Sequence, residues 1–292
     1  MRTPPYLKSG DKIGIVAPAR KISSEELLPA INFFQKEGLE VILGKNIYKS
    51  DNQFSGTDNQ RAADLQQMLD NDSIKAIFGA RGGYGTIRII EKLNFDNFIK
   101  NPKWIVGYSD LTVLHSFIHE KLQIETLHAT MPINFPKNGT ITISVEKMMK
   151  TLKGEELIHN FPEHKLNRKG KARGQIIGGN LSMLYSMRGT DFDICTKNKI
   201  LFIEDLDEYL YHIDRMMMNL KISGKLAFLK GLIVGGMSDM NDNTIPFGKS
   251  ANKIIADAVN EYKYPVCFGF AAGHSEPNLP IIFGREIEME IK

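Results

Sequence analysis

The feature that most constrains this chain is the spacing of short apolar runs through its first half. Lys12-Ile13-Gly14-Ile15-Val16-Ala17, Leu39-Glu40-Val41-Ile42-Leu43, Ala76-Ile77-Phe78 and Trp104-Ile105-Val106 are strand-length, and segments of helical pattern separate them. Ser23-Ser24-Glu25-Glu26 opens the first helix with serine caps and early carboxylates that suit the dipole, and Gly38 stops it after Glu37. The pattern predicts further helices over Asn59 to Leu69 and Thr86 to Leu93. Strand, helix and strand in repetition mean a parallel sheet covered on both faces, a doubly wound α/β domain. Working groups in such sheets gather where strands end at their carboxyl side. Three segments qualify: Pro18-Ala19-Arg20, Gly79-Ala80-Arg81-Gly82-Gly83-Tyr84-Gly85 and Gly107-Tyr108-Ser109.

With 292 residues the chain exceeds the common size of one core, so two domains are expected. The first covers 1–140. A polar, lysine-rich connection follows over 141–172, with one short helix near Val145 to Leu152, and the second domain covers 173–292. That second domain reads as a smaller, β-rich mixed α/β unit. Gly174 to Leu181 is a glycine-rich strand or turn, and the further strands are Lys199 to Glu204, Gly231 to Gly235, Pro265 to Phe270 and a closing Ile281 to Ile291 segment. Helices are expected over Tyr209 to Leu220 and Ser250 to Tyr262, with Met216-Met217-Met218 in the core.

The net charge is only +3 and the lysines are scattered, which argues against a nucleic-acid partner. The N-terminus, Met1 to Lys8, has no apolar signal region, so a cytoplasmic protein without membrane association is expected. Cys195 and Cys267 are the only cysteines, far apart in apolar contexts, and are read as buried reduced thiols, neither disulfide nor metal ligands.

Trp104 to Thr112 runs from a strand through Gly107-Tyr108-Ser109 into a helix, the layout of a nucleophile elbow, with Leu111 where the usual pattern has a second glycine. A serine hydroxyl needs a base, and the base needs a third group to orient it. Of seven histidines, His115 and His119 share a helix face and are read as structural. His128, His159, His164 and His212 show no obvious partner. His274 lies in the small-residue loop Ala271 to Asn278 after a buried strand, where it is either a catalytic base or a loop cap. Glu204 ends an apolar strand, and an unpaired carboxylate there would be costly, so it requires a partner such as an imidazole. With Asp205, Asp207 and Glu208 it also fits a solvated acidic turn or a magnesium site. Arg81 to Gly85 is open to three readings: a phosphate or dinucleotide loop, an oxyanion hole facing the elbow, or a tight turn.

Together, Arg81-Gly82-Gly83-Tyr84-Gly85, Gly107-Tyr108-Ser109-Asp110, Phe202-Ile203-Glu204-Asp205 with Ile213-Asp214-Arg215, and Gly273-His274 resemble in order and spacing the serine LD-carboxypeptidases, also called muramoyltetrapeptide carboxypeptidases. The resemblance runs from Gly10-Asp11-Lys12-Ile13 to the final strand. It implies a Ser109–Glu204–His274 triad at the interface of a doubly wound domain and a β-rich, swivelling-type domain. The family's own Gly-x-Ser-Asp accounts for the missing glycine. It further implies an oxyanion hole from the backbone N–H groups of Asp110 and Gly83, and no metal or organic cofactor. The implied reaction removes the terminal D-alanine from a murein tetrapeptide in cell-wall recycling. Arg81 is the candidate to hold the substrate carboxylate, with Tyr84 beside it. An isologous homodimer is the expected assembly. The alternatives are a self-immunity peptidase that cleaves peptide–nucleotide antibiotics, for which the predicted burial of Trp104 is unfavourable, and a non-catalytic muropeptide-binding protein.

Overall fold

The apolar runs of the first half form one parallel sheet in the computed structural model, which describes residues 1–292. The strands are β1 (Lys12–Val16), β2 (Glu40–Leu43), β3 (Ile74–Gly79), β4 (Trp104–Gly107) and β5 (Thr126–His128), in the order β5-β4-β3-β1-β2, with parallel pairing throughout. The chain reverses its direction of travel across the sheet between β2 and β3. Helices α1 (Ser24–Lys36) and α2 (Asp58–Asp70) therefore lie on opposite faces if each crossover is right-handed. Both begin with capping boxes, Ser23 with Glu26 and Thr57 with Gln60. Phe34 of α1 packs 4.7 Å, centroid to centroid, from Phe78 of β3, and both are fully buried. Short helices α3 (Asp96–Lys100) and α4 (Thr112–Phe117) flank β4, and α5 (Ile143–Leu152) follows β5.

The expected helix over 86–93 is a correction: the chain makes two 3-10 turns, Thr86–Arg88 and Ile90–Lys92. Four β-branched residues, Thr86, Ile87, Ile89 and Ile90, disfavour a regular helix here.

The chain divides into two units, Met1–Leu157 with Leu279–Ile281, and Ile158–Asn278 with Ile282–Lys292. The division falls inside the expected connection, and α5 belongs to the first unit. In the second unit, β6 (Gly170–Asn180), β7 (Ile200–Leu206), β8 (Gly231–Ser238) and β9 (Val266–Cys267) run parallel. Helices α6 (Leu181–Ser186), α7 (Leu210–Ile222) and α8 (Ala251–Ala258) alternate with them. The closing segment, expected as one piece of sheet, breaks at Gly284, where φ is +92°. Before the break, β10 (Ile281–Phe283) belongs to the first sheet; after it, β11 (Glu286–Ile291) runs antiparallel to β6. The fold is thus α/β, with a doubly wound sheet and a second, mixed one. No helix is long and apolar enough to cross a membrane.

Cys267 is buried, its thiol pushed up to about 12 by desolvation, whereas Cys195 is exposed. The expectation of two buried thiols holds for the first alone, because Cys195 sits in an irregular segment before β7. Met216 and Met217 are core, and Met218 is turned out at 38% exposure.

Lys103 is the unexpected member of the first core. Its amine is buried and donates to the carbonyls of Met68, Leu69 and Asn71 at 3.1, 2.9 and 2.8 Å, closing the end of α2. Burial drives its pKa down to about 8. Replacing it by alanine leaves those carbonyls without their donor and is expected to cost about 2–3 kcal/mol, read by urea denaturation.

Candidate active site

The turn after β4 has the backbone of a nucleophile elbow. Gly107 has φ +152°, Tyr108 is extended and Ser109 sits at φ +63°, the left-handed region, before a 3-10 turn leads into α4. A serine held there costs roughly 1–2 kcal/mol, tolerated only where surrounding structure enforces it. Two contacts enforce it. Leu111, in place of the usual glycine, is buried, and a Cβ added at Gly79 or Gly107 would lie 2.5 Å from its Cδ2. His115, one turn further on, is within 2.9 Å of the Gly107 carbonyl through Nε2 and 2.8 Å of Thr126 Oγ1 through Nδ1. His115 is fully buried and burial lowers its pKa to about 4, so the neutral ring is a structural brace.

Asp110 faces inward. Its carboxylate accepts hydrogen bonds from the Gly85 and Thr86 N–H groups at 3.3 and 2.9 Å and from the Thr86 hydroxyl at 2.5 Å. Burial nevertheless pushes its pKa up, against these bonds and the charge of Arg61. Arg61 is itself buried and donates to the carbonyls of Gly85, at 3.0 Å, and Pro18, and to Asp58. The Arg81 loop is thereby tied to the elbow and to the end of β1. At its near end, a Cβ on Gly82 would stand 2.9 Å from both Cβ and Oγ of Ser109. Only glycine lets this loop reach the serine so closely. Arg81 turns its Nη1 to the Lys21 carbonyl at 3.2 Å and lies 3.8 Å from Glu26, while Tyr84 is 43% exposed, its ring 6.3 Å from that of Phe54.

The second unit holds the other two predicted residues in direct contact. Glu204, in β7, is fully buried, and its Oε2 is 2.7 Å from His274 Nδ1. The His274 loop approaches because residue 273 is glycine, with φ +113°; a Cβ there would stand 2.8 Å from Glu204 Oε2. Asn278 accepts from the Gly273 N–H at 2.9 Å and the Ser238 hydroxyl donates to the His274 carbonyl at 3.1 Å, which fixes the loop. A hydrogen bond from Nδ1–H to the carboxylate leaves the lone pair of the neutral ring on Nε2, where a base needs it. Desolvation disfavours the imidazolium, but the hydrogen bond and charge of Glu204, with Asp205 behind it, prevail and raise the His274 pKa above its ordinary 6.5.

The acids after Glu204 are committed to protein donors. Asp205 accepts from Asn180 Nδ2 at 2.8 Å and from the Ser182 and Leu206 N–H groups at 2.9 Å each, and burial pushes its pKa up to about 6. Asp207 accepts from Asn241, and Glu208 binds Ser182 and His212. His212 therefore has the partner, four residues before it, that the sequence reading did not find. No group of three or more His, Cys, Asp or Glu side chains is arranged to hold a metal ion. The Asp110 side chain, Thr86 and Arg61 were also missed, although a carboxylate between Ser109 and the apolar Leu111, Val113 and Leu114 was a signal for burial.

Two measurements check these geometries. Nuclear magnetic resonance titration is expected to place the His274 pKa above 6.5 and to show it falling when Glu204→Gln removes the charge. Ser109→Gly is expected to be about 1 kcal/mol more stable than Ser109→Ala by thermal unfolding, the reverse of their order inside a helix, because of the left-handed φ.

Residues 13–129 match the LD-carboxypeptidase N-terminal domain and residues 173–289 the LD-carboxypeptidase C-terminal domain. A probable murein peptide carboxypeptidase of Bacillus subtilis is 34% identical, with 98% of this chain and 91% of the relative covered. The microcin C7 self-immunity protein of Escherichia coli is 26% identical, with 97% and 92% covered. Among solved structures, muramoyltetrapeptide carboxypeptidase from Oxalobacter formigenes superposes with a TM-score of 0.86 at 26% identity, covering 96% of this chain and 95% of that one. An elbow serine, a buried Glu–His pair and both matching domains make this chain a member of the LD-carboxypeptidase family of serine peptidases.

Proposed function

We propose that this protein is a murein tetrapeptide carboxypeptidase in which Ser109, His274 and Glu204 act as one triad. The observation that carries the reading is the 2.7 Å contact between a buried Glu204 and His274, the kind of oriented base that a serine nucleophile requires. Ser109 Oγ attacks the carbonyl of the L-centre of the diamino acid, and His274 Nε2 takes the hydroxyl proton. Glu204 holds the ring and stabilises the imidazolium. The backbone N–H groups of Asp110 and Gly83 hold the tetrahedral oxyanion. The close fit of Gly82 against Ser109 supports this, since Gly83 is the next residue of the same loop. The imidazolium then protonates the D-alanine amine as it leaves, and water attacks the acyl-enzyme with the same histidine as base. None of these steps draws on a metal or organic cofactor.

A second member of the same family, the microcin C7 self-immunity protein, frames the competing reading. Trp104 is fully buried with its Nε1 donating to the Pro5 carbonyl at 3.0 Å, so the sole tryptophan has no face to offer a nucleobase. The murein reading is favoured on that ground. We place the protein in the cytoplasm, as the recycling of murein fragments requires, and as a homodimer; the exposed apolar side chains of Met218, Ile222 and Phe228 support self-association.

Turnover of murein tetrapeptide to tripeptide and D-alanine tests the function. Ser109→Ala is expected to lower kcat about a million-fold with substrate binding retained. Equal rates in variant and wild type would sink the serine mechanism, and binding without turnover in either would make the protein a muropeptide sensor. Turnover only of an aminoacyl-nucleotide analogue would favour the self-immunity reading. Because His274 must be neutral and its pKa is raised, kcat/KM is expected to fall as pH drops through a value above 6.5. In Glu204→Gln that acid limb moves to lower pH.

A further inference from the structure

We propose that Arg20 is the cation that holds the terminal carboxylate of the substrate, in the crevice between the loops that follow β1 and β3. The proposal rests on the carboxypeptidase reading, since an exopeptidase must distinguish a free terminal carboxylate from a chain that continues. In the order β5-β4-β3-β1-β2, successive strands are added to one side of β1 and then to the other, so the loops leaving β1 and β3 diverge. Ligands of open α/β sheets bind at that switch point, outside the carboxyl ends of the strands. Arg20 stands on the first of these loops and Gly82-Gly83 on the second.

Their contact is direct. A Cβ built on Gly83 would overlap Cγ and Cδ of Arg20 and stand 3.3 Å from its Cβ, so the arginine stem lies along the glycine. A Cβ on the preceding residue, Gly82, would stand 2.9 Å from Ser109 Oγ. With neighbouring Cα atoms about 3.8 Å apart, the Arg20 guanidinium lies on the order of 10 Å from the nucleophile. A D-alanine carboxylate stands about 4 Å beyond the scissile carbonyl, and adding one contact at each end spans the same interval.

Charge availability singles out Arg20 among the nearby cations. Arg61 is buried on the Pro18 and Gly85 carbonyls, Arg88 pairs with Asp58, Lys21 reaches Ser50, and Arg81 is turned to the Lys21 carbonyl and Glu26. Arg20 is exposed and its guanidinium makes no ion pair. Its backbone is nonetheless anchored, because the flanking Lys21 N–H donates to Gln53 at 3.0 Å and the Ala19 carbonyl accepts from Ser55 at 3.1 Å. A guanidinium on a fixed base suits bidentate capture of a carboxylate.

The test compares murein tetrapeptide with the same peptide ending in a carboxamide, for wild type, Arg20→Ala, Arg20→Gln and Arg81→Ala, each checked by thermal unfolding. Wild type is expected to prefer the free acid by about 10-fold or more in kcat/KM, and both Arg20 variants to bring that ratio near 1, chiefly through KM. Retention of the preference in Arg20→Ala and Arg20→Gln, or its loss in Arg81→Ala alone, overturns the assignment to Arg20 and leaves the carboxypeptidase reading standing. Failure of wild type to turn over the free acid overturns both.

Discussion

The carboxylate of Asp110 joins the two pieces of chain on which the first unit's chemistry depends. It belongs to the residue after the nucleophile, and all three of its bonds go to the loop after β3. A buried acid is expensive unless its lone pairs are used, and here they are used to fix one loop relative to another. The strained φ of Ser109, the approach of Gly82 and the stem of Arg20 along Gly83 all presuppose that registration. Arg61 extends it to the end of β1.

The second unit buries a carboxylate too, and gives it to a histidine. Glu204 has one oxygen on His274 and the other buried without a hydrogen-bond partner, so its charge is directed at the imidazole. Asp205, one residue on, follows a register shift in the pairing of β7 with β8 and is absorbed by Asn180 and two backbone N–H groups. Adjacent acids on one strand thus divide into a positioning group for the histidine and a structural cap. The two units carry different local constraints: a serine held at positive φ in one, a histidine held on a buried carboxylate in the other.

Much of this was legible in the sequence because it was written in local pattern. Short apolar runs between capped helices specify a parallel sheet, and Gly107-Tyr108-Ser109 after such a run specifies a turn. Glu204 and His274 were legible for another reason, since a buried charge at a strand end demands a partner and a loop of small residues permits close approach. In the 86–93 segment apolar periodicity points to a helix while β-branching opposes one, and the branching prevails. The break at Gly284 was hidden because both halves of the closing segment alternate like sheet. The burial of Asp110 and Arg61, and the commitments that leave Arg20 alone among its neighbours, depend on which loops meet in space, and no spacing along the chain encodes that.

Leu111 illustrates how a motif can shift without being lost. In the common elbow the second glycine makes room on the helix side of the turn; here that position is a leucine, and the room is made by Gly79 and Gly107 at the ends of two adjacent strands. The three positions share one fixed volume. Gly107 is held to glycine by its φ of +152° as well, so among homologous chains it is position 79 that should vary with position 111, a small residue at 111 permitting a side chain at the end of β3 and a large one forbidding it. A signature written only along the turn misses such a compensation, whereas one that also reads the neighbouring strand would find the elbow in either form.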